Sequence, residues 1–221
     1  LDRLLVSQVF LQFKVSVENL AEGLKFFNIP VISGNVSFYN ETSGKAINVS
    51  PIVTLVGKVD LDKTMSMPLK DEGDEIVLIG ETKAELGDAP KVDFETEKKT
   101  NDLILKLISD KKINAAHDLS KGGLAVGLAK MAFQGDKGFN VDIAKMDENI
   151  DDNEKLFSES NARYIVTTKD SEAVLNAAEE SGLKSVILGK VGGDKLSFGK
   201  FDTSLEEAKK NWETGLEELL I

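Results

Sequence analysis

Ile113-Asn-Ala-Ala-His-Asp-Leu-Ser-Lys-Gly-Gly-Leu-Ala-Val-Gly-Leu-Ala-Lys-Met-Ala-Phe-Gln-Gly135 reads as a strand, a polar loop and a helix in direct succession. Ile113 to Ala116 is a short apolar run of strand length. Leu124, Leu128 and Met131 recur at helical spacing, and Gly135 is the stop. Similar elements flank this unit. Glu75 to Ile79 reads as a buried strand. Leu103, Ile104, Leu107 and Ile108 mark a helix. Arg163 to Thr167 reads as a strand, and Asp170 to Ser181 as a helix closed by Gly182. Ser185 to Val191 and Lys195 to Phe198 read as a hairpin around Gly192-Gly193. Ser204 and Glu207 form a capping-box pattern that opens the last helix, with Leu205, Ala208, Trp212, Leu216 and Leu219 as its core face. Strands alternating with helices predict a mixed α/β domain over residues 63–221.

Upstream, Val17, Leu20, Ala21, Leu24 and Phe27 predict an amphipathic helix over residues 15–27, ended by Asn28 and Pro30. Val31-Ile32 reads as a short strand. Ile47 to Val59 is rich in β-branched residues and reads as another, bent at Pro51. Asp60 to Gly73, with Met67-Pro68 and no apolar period, is the best boundary. Residues 1–62 then form an incomplete helix-and-strand unit.

Composition narrows the chemistry. Apolar residues are 41% of the 221, enough for a real core. There is no cysteine, which excludes disulfides, thiolate metal sites and a cysteine nucleophile, and weakens the case for secretion. His117 is the single histidine, so no multi-histidine metal site can be built. The net charge is -11, and no basic stripe offers a nucleic-acid footprint. No apolar run reaches the roughly 18–20 residues that span a bilayer. No signal peptide opens the chain. The expected compartment is the cytoplasm. The start at Leu1 reads as a piece of a longer chain.

Three segments carry candidate chemistry. In Ser33-Gly34-Asn35-Val36-Ser37, glycine permits close backbone approach to a phosphate, Asn35 offers a neutral oxygen to a hard cation, and Ser37 adds a hydroxyl. A plain polar turn accounts for the same residues. Asn40-Glu41-Thr42 matches a glycosylation pattern by accident in a cytoplasmic protein. In His117-Asp118-Leu119-Ser120-Lys121-Gly122-Gly123, the glycine pair sits where a helix starts, so its N–H groups and the helix dipole form a ready anion site at a strand end. The competing reading is that Ser120 caps the helix, Gly122-Gly123 permits tight packing, and His117 is satisfied by nearby backbone. In Phe157-Ser-Glu-Ser-Asn-Ala-Arg163, Ser158 or Ser160 is a phosphate candidate, and Glu159 with Arg163 reads as a structural ion pair. Asp147, Glu148, Asp151, Asp152 and Glu154 lack calcium-loop spacing and read as a solvated face.

Taken in order, PVISGNVSFYNET (30–42), AAHDLSKGGLAVGLAKMAF (115–133), LFSESNARYIV (156–166) and SLEEAKKNWETGLEELL (204–220) resemble phosphoribosylformylglycinamidine synthase, in the small form of its synthetase subunit, C-terminal half. The resemblance implies an incomplete N-terminal synthetase-type unit over residues 1–62. It also implies a mixed-sheet α/β C-type domain over residues 63–221, of the aminoimidazole-ribonucleotide-synthetase-like superfamily. It implies ATP-dependent conversion of formylglycinamide ribonucleotide to its amidine through an iminophosphate, with ATP and Mg²⁺. Gly34 would contact ATP, Asn35 would ligate Mg²⁺ and Ser37 would touch substrate. His117, Asp118, Ser120, Gly122 and Gly123 would line a nucleotide or phosphate site, which in this family is either catalytic or structural. A chain without cysteine needs ammonia from elsewhere. In the small form, that is a glutaminase subunit, with a small bridging subunit.

There are three departures. Leu1 to Phe10 replaces an aspartate-bearing ATP segment. Asp88-Ala89-Pro90 follows Leu86-Gly87 where the family continues Gly-Ser-Glu-Tyr. Either the protein has lost these loops or the sequence skips them, and skipping is the favoured reading because both gaps fall where mobile ligand loops would be. The family's catalytic histidine belongs to an N-terminal half that is not here. Two alternatives stay open: a non-catalytic half that holds a nucleotide, or a sister ATP-dependent synthetase or kinase, such as aminoimidazole ribonucleotide synthetase or thiamine phosphate kinase.

Overall fold

A computed structural model of the chain describes residues 2–37, 41–87 and 89–219. Asn40, Asp88 and the side chain of Leu219, each named above, lie outside the described residues. The chain divides into two compact units, Leu1–Lys58 and Val59–Ile221.

The first unit is dominated by helix α1 (Asp2–Phe26), which starts well before the expected residue 15. No glycine or proline interrupts Asp2 to Lys14, so nothing in that stretch breaks a helix. Its end is a Schellman motif. Asn28 takes the left-handed conformation (φ 53°), and the amides of Asn28 and Ile29 return to the carbonyls of Lys25 and Leu24. A two-residue hairpin follows: β1 (Glu41–Thr42) and β2 (Lys45–Ala46), turned at Ser43 and Gly44, both at positive φ. Val31-Ile32 and Ile47 to Val59 are not strands. Val31, Ile32 and Ile52 are 71%, 80% and 93% exposed. A β-branched run becomes a strand only when a neighbour takes its N–H and C=O groups, and none does so among the described residues.

The second unit is a three-layer α/β/α arrangement. Its strands are β3 (Glu75–Ile79), β4 (Ala115–Asp118), β5 (Phe139–Val141), β6 (Tyr164–Thr168), β7 (Ser185–Val191), β8 (Lys195–Ser197) and β9 (Asp202–Ser204). They lie in the order β4-β6-β3-β7-β5-β8-β9, antiparallel except for β5 against β8. The sheet is thus mixed, as the alternation of elements led us to expect. The helices are α2 (Phe94–Ser109), α3 (Gly123–Gly135), α4 (Asp152–Phe157), α5 (Ser171–Glu180) and α6 (Leu205–Leu219).

Strand periodicity sorts the core into two layers. Ile76, Leu78, Ala115 and Ile165 face Leu124, Leu128 and Met131 of α3 and Leu156 of α4. Val77, Ile79 and Val166 face Leu103, Ile104 and Leu107 of α2 and Val174 and Ala178 of α5. The predicted α2, α3 and α5 are all present. Strand β4 begins two residues later than expected, and Gly182 caps α5 at φ 68°.

Two expectations are corrected here. β7 and β8 do not form a hairpin, because β5 lies between them and pairs with both. The Gly192-Gly193 turn instead wraps Gly138. Gly192 N–H donates to the Gly138 carbonyl (2.9 Å), and Gly138 N–H donates to the Gly193 carbonyl (2.8 Å). A three-residue strand with one polar residue gives little periodic signal, which is why β5 escapes sequence reading. The last helix also buries less than predicted. Ser204 Oγ does accept from Glu207 N–H (3.1 Å), and Leu205 and Ala208 pack on the core. Trp212 and Leu216 are 58% and 71% exposed, although the Trp212 ring still lies 6.3 Å from that of Phe133.

The β5–β8 junction leaves no room at Gly138, where a Cβ would sit 2.3 Å from the Lys195 carbonyl oxygen. Gly138→Ala is expected to lower unfolding free energy by about 1–3 kcal/mol in urea titration. Gly215→Ala, in open space on α6, is expected to raise it by roughly 0.5–1 kcal/mol.

Candidate functional site

Register places four chain segments at one end of the sheet. Ile79 pairs with Tyr164 and Ser185, and Asp118 also pairs with Tyr164. The loops leaving β3 and β4 therefore emerge beside the segment entering β6. A cleft of about 350 Å³ opens at the same end, lined by Gly80, Glu81, Thr82, Lys145, Asp147 and Lys184, among others.

The loop after β4 holds His117, Asp118, Ser120, Gly122 and Gly123 together. Leu119 N–H donates to the Arg163 carbonyl (2.9 Å), which anchors the loop to the start of β6. Asp118 and Ser120 are exposed. The His117 ring is 11% exposed, with Nδ1 3.7 Å from Asp118 Oδ1. Ser120 does not cap α3 with its side chain; its carbonyl accepts from Gly123 N–H (3.0 Å). Gly122 and Gly123 are both left-handed (φ 78° and 61°). A Cβ on Gly123 would lie 2.5 Å from the Ser158 carbonyl oxygen and 2.9 Å from that of Leu156. Only glycine fits that turn and that approach.

The anion at the start of α3 comes from the protein itself. Gly122 N–H donates to Glu159 Oε1 at 2.8 Å. Glu159 is therefore not the partner of Arg163, contrary to the sequence expectation. Arg163, 1% exposed, spends its guanidinium on neutral acceptors: the carbonyls of Ser160 (2.9 Å) and Ser158, and Thr82 Oγ1 (2.9 Å). Burial pulls its pKa down to about 10, opposed by Glu85, so it stays charged at neutral pH. Ser158 and Ser160 are fully buried and not open to a phosphate. Ser158 Oγ donates to the Lys83 carbonyl (2.6 Å), and Ser160 Oγ accepts from Lys83 N–H (3.0 Å). The nearby acids also do more than face solvent. Asp151 caps α4, Asp147 accepts from Asn149 N–H, and Glu154 Oε2 accepts from Leu86 N–H (3.0 Å). Sequence reading missed Thr82 and Lys83, which carry no motif. The one signal for Arg163 was a cation at the mouth of an apolar strand.

A second polar group lies beside Asp118. Tyr164 Oη donates to Asn101 Oδ1 (2.9 Å), and its pKa is pushed up to about 12 by burial and by the charges of Asp118 and Glu97. Burial raises the Glu97 carboxyl above its usual range, against the Ala162 amide and the Asn101 side chain, with Asp118 adding to the rise.

The other candidate group belongs to the first unit. Gly34, Asn35 and Ser37 are exposed, and Asn35 Nδ2 donates to Ser37 Oγ at 3.4 Å. A Cβ at Gly34 would meet nothing within 4 Å. No group of three or more His, Asp or Glu suited to a metal occurs among the described residues. No described helix is long and apolar enough to cross a membrane.

The second unit is thus a helix-flanked mixed sheet with two loops braced at one strand end. The chain belongs to the family described as AIR synthase related protein, C-terminal domain, which its residues 69–201 match. It is 38% identical to phosphoribosylformylglycinamidine synthase subunit PurL of Methanothermobacter thermautotrophicus, over 90% of this chain and 30% of that protein. It is 39% identical to PurL of Thermococcus sibiricus, over 86% of this chain and 29% of that one. The chain thus spans about 30% of the length of these curated relatives. Phosphoribosylformylglycinamidine synthase II from Thermotoga maritima shares the fold, with a TM-score of 0.63 at 19% identity, over 68% of this chain and 28% of that one.

Being the only histidine, His117 gives one readable imidazole signal. Burial lowers its pKa below 6.5, helped by Lys130 and opposed by Asp118. The folded state thus holds it neutral, and its contribution to stability is full above pH 6.5 and lost as pH falls through the lowered value. Proton NMR is expected to show a midpoint below 6.5. The thermal midpoint of His117→Gln is expected to depend less on pH just below 6.5 than that of the unsubstituted protein.

Proposed function

We propose that this chain is the C-terminal part of a synthetase that converts formylglycinamide ribonucleotide, ATP and ammonia into the formylglycinamidine product, ADP and phosphate. The observation that carries this is 38–39% identity to PurL subunits over 86–90% of the chain. Residues 1–62 serve as part of an ATP-binding N-type domain and residues 63–221 as the C-type domain. The Thermotoga maritima protein has been seen complexed with FGAR and with ATP, and in a PurLQS assembly. By analogy, the partners are a glutaminase subunit, a small bridging subunit and the ribonucleotide, in the cytoplasm.

The reaction must turn an amide oxygen into a leaving group. That oxygen takes the γ-phosphoryl of ATP as ADP departs, which gives an iminophosphate. Ammonia adds at the carbon, loses a proton, and the C–O bond breaks to release phosphate. Such transfers are accelerated mainly by positioning and charge neutralisation. Asn35 offers one oxygen to Mg²⁺, Gly34 offers open backbone to ATP, and Ser37 a hydroxyl to substrate. When bound, the cation would neutralise phosphate charge.

A second reading concerns the His117–Gly123 loop alone. Its Gly122 amide, at the N-cap of α3, is already bound to Glu159, so this loop would hold a nucleotide through its exposed side chains. The whole proposal is tested by ADP release from the complete polypeptide, supplied with ATP, formylglycinamide ribonucleotide and ammonium chloride. Turnover is expected with this substrate and not with those of the sister enzymes; the reverse preference refutes it. Asn35→Ala is expected to reduce turnover, or raise the Mg²⁺ required, by roughly tenfold or more.

A further inference from the structure

The FSESNAR segment braces two loops that no single motif connects. Thr82, Lys83 and Leu86, in the loop after β3, are held by Arg163, by Ser158 with Ser160, and by Glu154. The loop after β4 is held by Glu159, through Gly122 N–H, and by the Arg163 carbonyl. Glu159 sits between two serines that are fully buried and bonded to Lys83. Behind it, the Gly123 backbone lies against the carbonyls of Leu156 and Ser158. Its backbone is therefore fixed from both sides.

We infer that Glu159 is a positioning residue. Its carboxylate permanently fills the amide of Gly122, so this amide does not receive a ligand phosphate. Through it, the loop bearing His117, Asp118 and Ser120 is set in register with the loop after β3. The inference rests on the proposed reading of the His117–Gly123 loop as a nucleotide or phosphate site. It adds that ligand groups meet the exposed side chains of that loop and not the Gly122 amide. The Gly122 N–H, one of the donors at the start of α3, is already satisfied by an internal carboxylate, which also meets the helix dipole.

Hydrogen exchange, phosphate titration and kinetics test it together. The Gly122 amide is expected to be protected in the unsubstituted protein and in Glu159→Gln, which keeps an acceptor oxygen. It is expected to exchange at least about tenfold faster in Glu159→Ala. Equal exchange in all three overturns the assignment. Millimolar inorganic phosphate is expected to leave the Gly122 amide resonance of the unsubstituted protein unmoved. A saturable shift there overturns the assignment even if the alanine variant does not fold. In the complete polypeptide, Glu159→Ala is expected to raise the KM for ATP by about tenfold with a smaller change in kcat, and Glu159→Gln to restore it. Glutamine failing to restore KM counts against positioning through this hydrogen bond. If the unsubstituted enzyme shows no turnover, the proposed function falls, and the exchange rates and phosphate titration alone decide the role of Glu159.

Discussion

A guanidinium hydrogen-bonded, among the described residues, to neutral acceptors alone braces one end of the second unit. Arg163 enters the interior at the mouth of β6 and satisfies two carbonyls and one hydroxyl, with no ion pair to a described residue. Desolvating a charge is expensive, and charge-assisted hydrogen bonds to fixed dipoles offset it. Because the acceptors come from Thr82, Ser158 and Ser160, neither the loop after β3 nor the turn before β6 can shift without leaving a buried cation short of partners. Glu159 then extends the same brace to the start of α3.

The brace works because the sheet brings its contributors to one edge. β3 lies between β6 and β7 in antiparallel register. The exit of β3 and the entrances of its neighbours therefore share an end, whatever their distance along the chain. Two apolar layers hold that register, since a one-residue slip would turn Ile76 and Leu78 away from α3. Rigid strands fix where the loops begin, and polar cross-links fix where they go.

Much of this was legible in the sequence. Helical spacing gave α2, α3 and α5, and Gly182 marked a real C-cap. What failed had physical causes. Asn28 ends α1 as read, but α2 is closed by Lys111 in a left-handed Schellman position, where sequence reading looks for glycine. Ile47 to Val59 has strand composition without a strand's partner. Gly192-Gly193 looks like a hairpin turn but encloses a third strand, because pairing across a sheet is not written in local pattern. His117–Gly123 was legible as the junction between a strand and a helix, but not what its residues touch. Glu159 and Arg163 look like a natural ion pair four residues apart. Only the fold sends one to a helix start and the other into the core.

The strand order also dictates when this domain can come into being. The central strand, residues 75–79, finds its two neighbours at residues 164–168 and 185–191. During synthesis it must wait for the chain to extend by about a further hundred residues, with Ile76, Val77, Leu78 and Ile79 unburied meanwhile. Distant pairings of this kind slow folding and prolong exposure of sticky segments. The helices around it have local caps and can begin to form as they emerge. The core becomes complete only once residues 185–191 have emerged, so a ribosome that stalls before residue 185 releases a chain whose middle strand has an open edge.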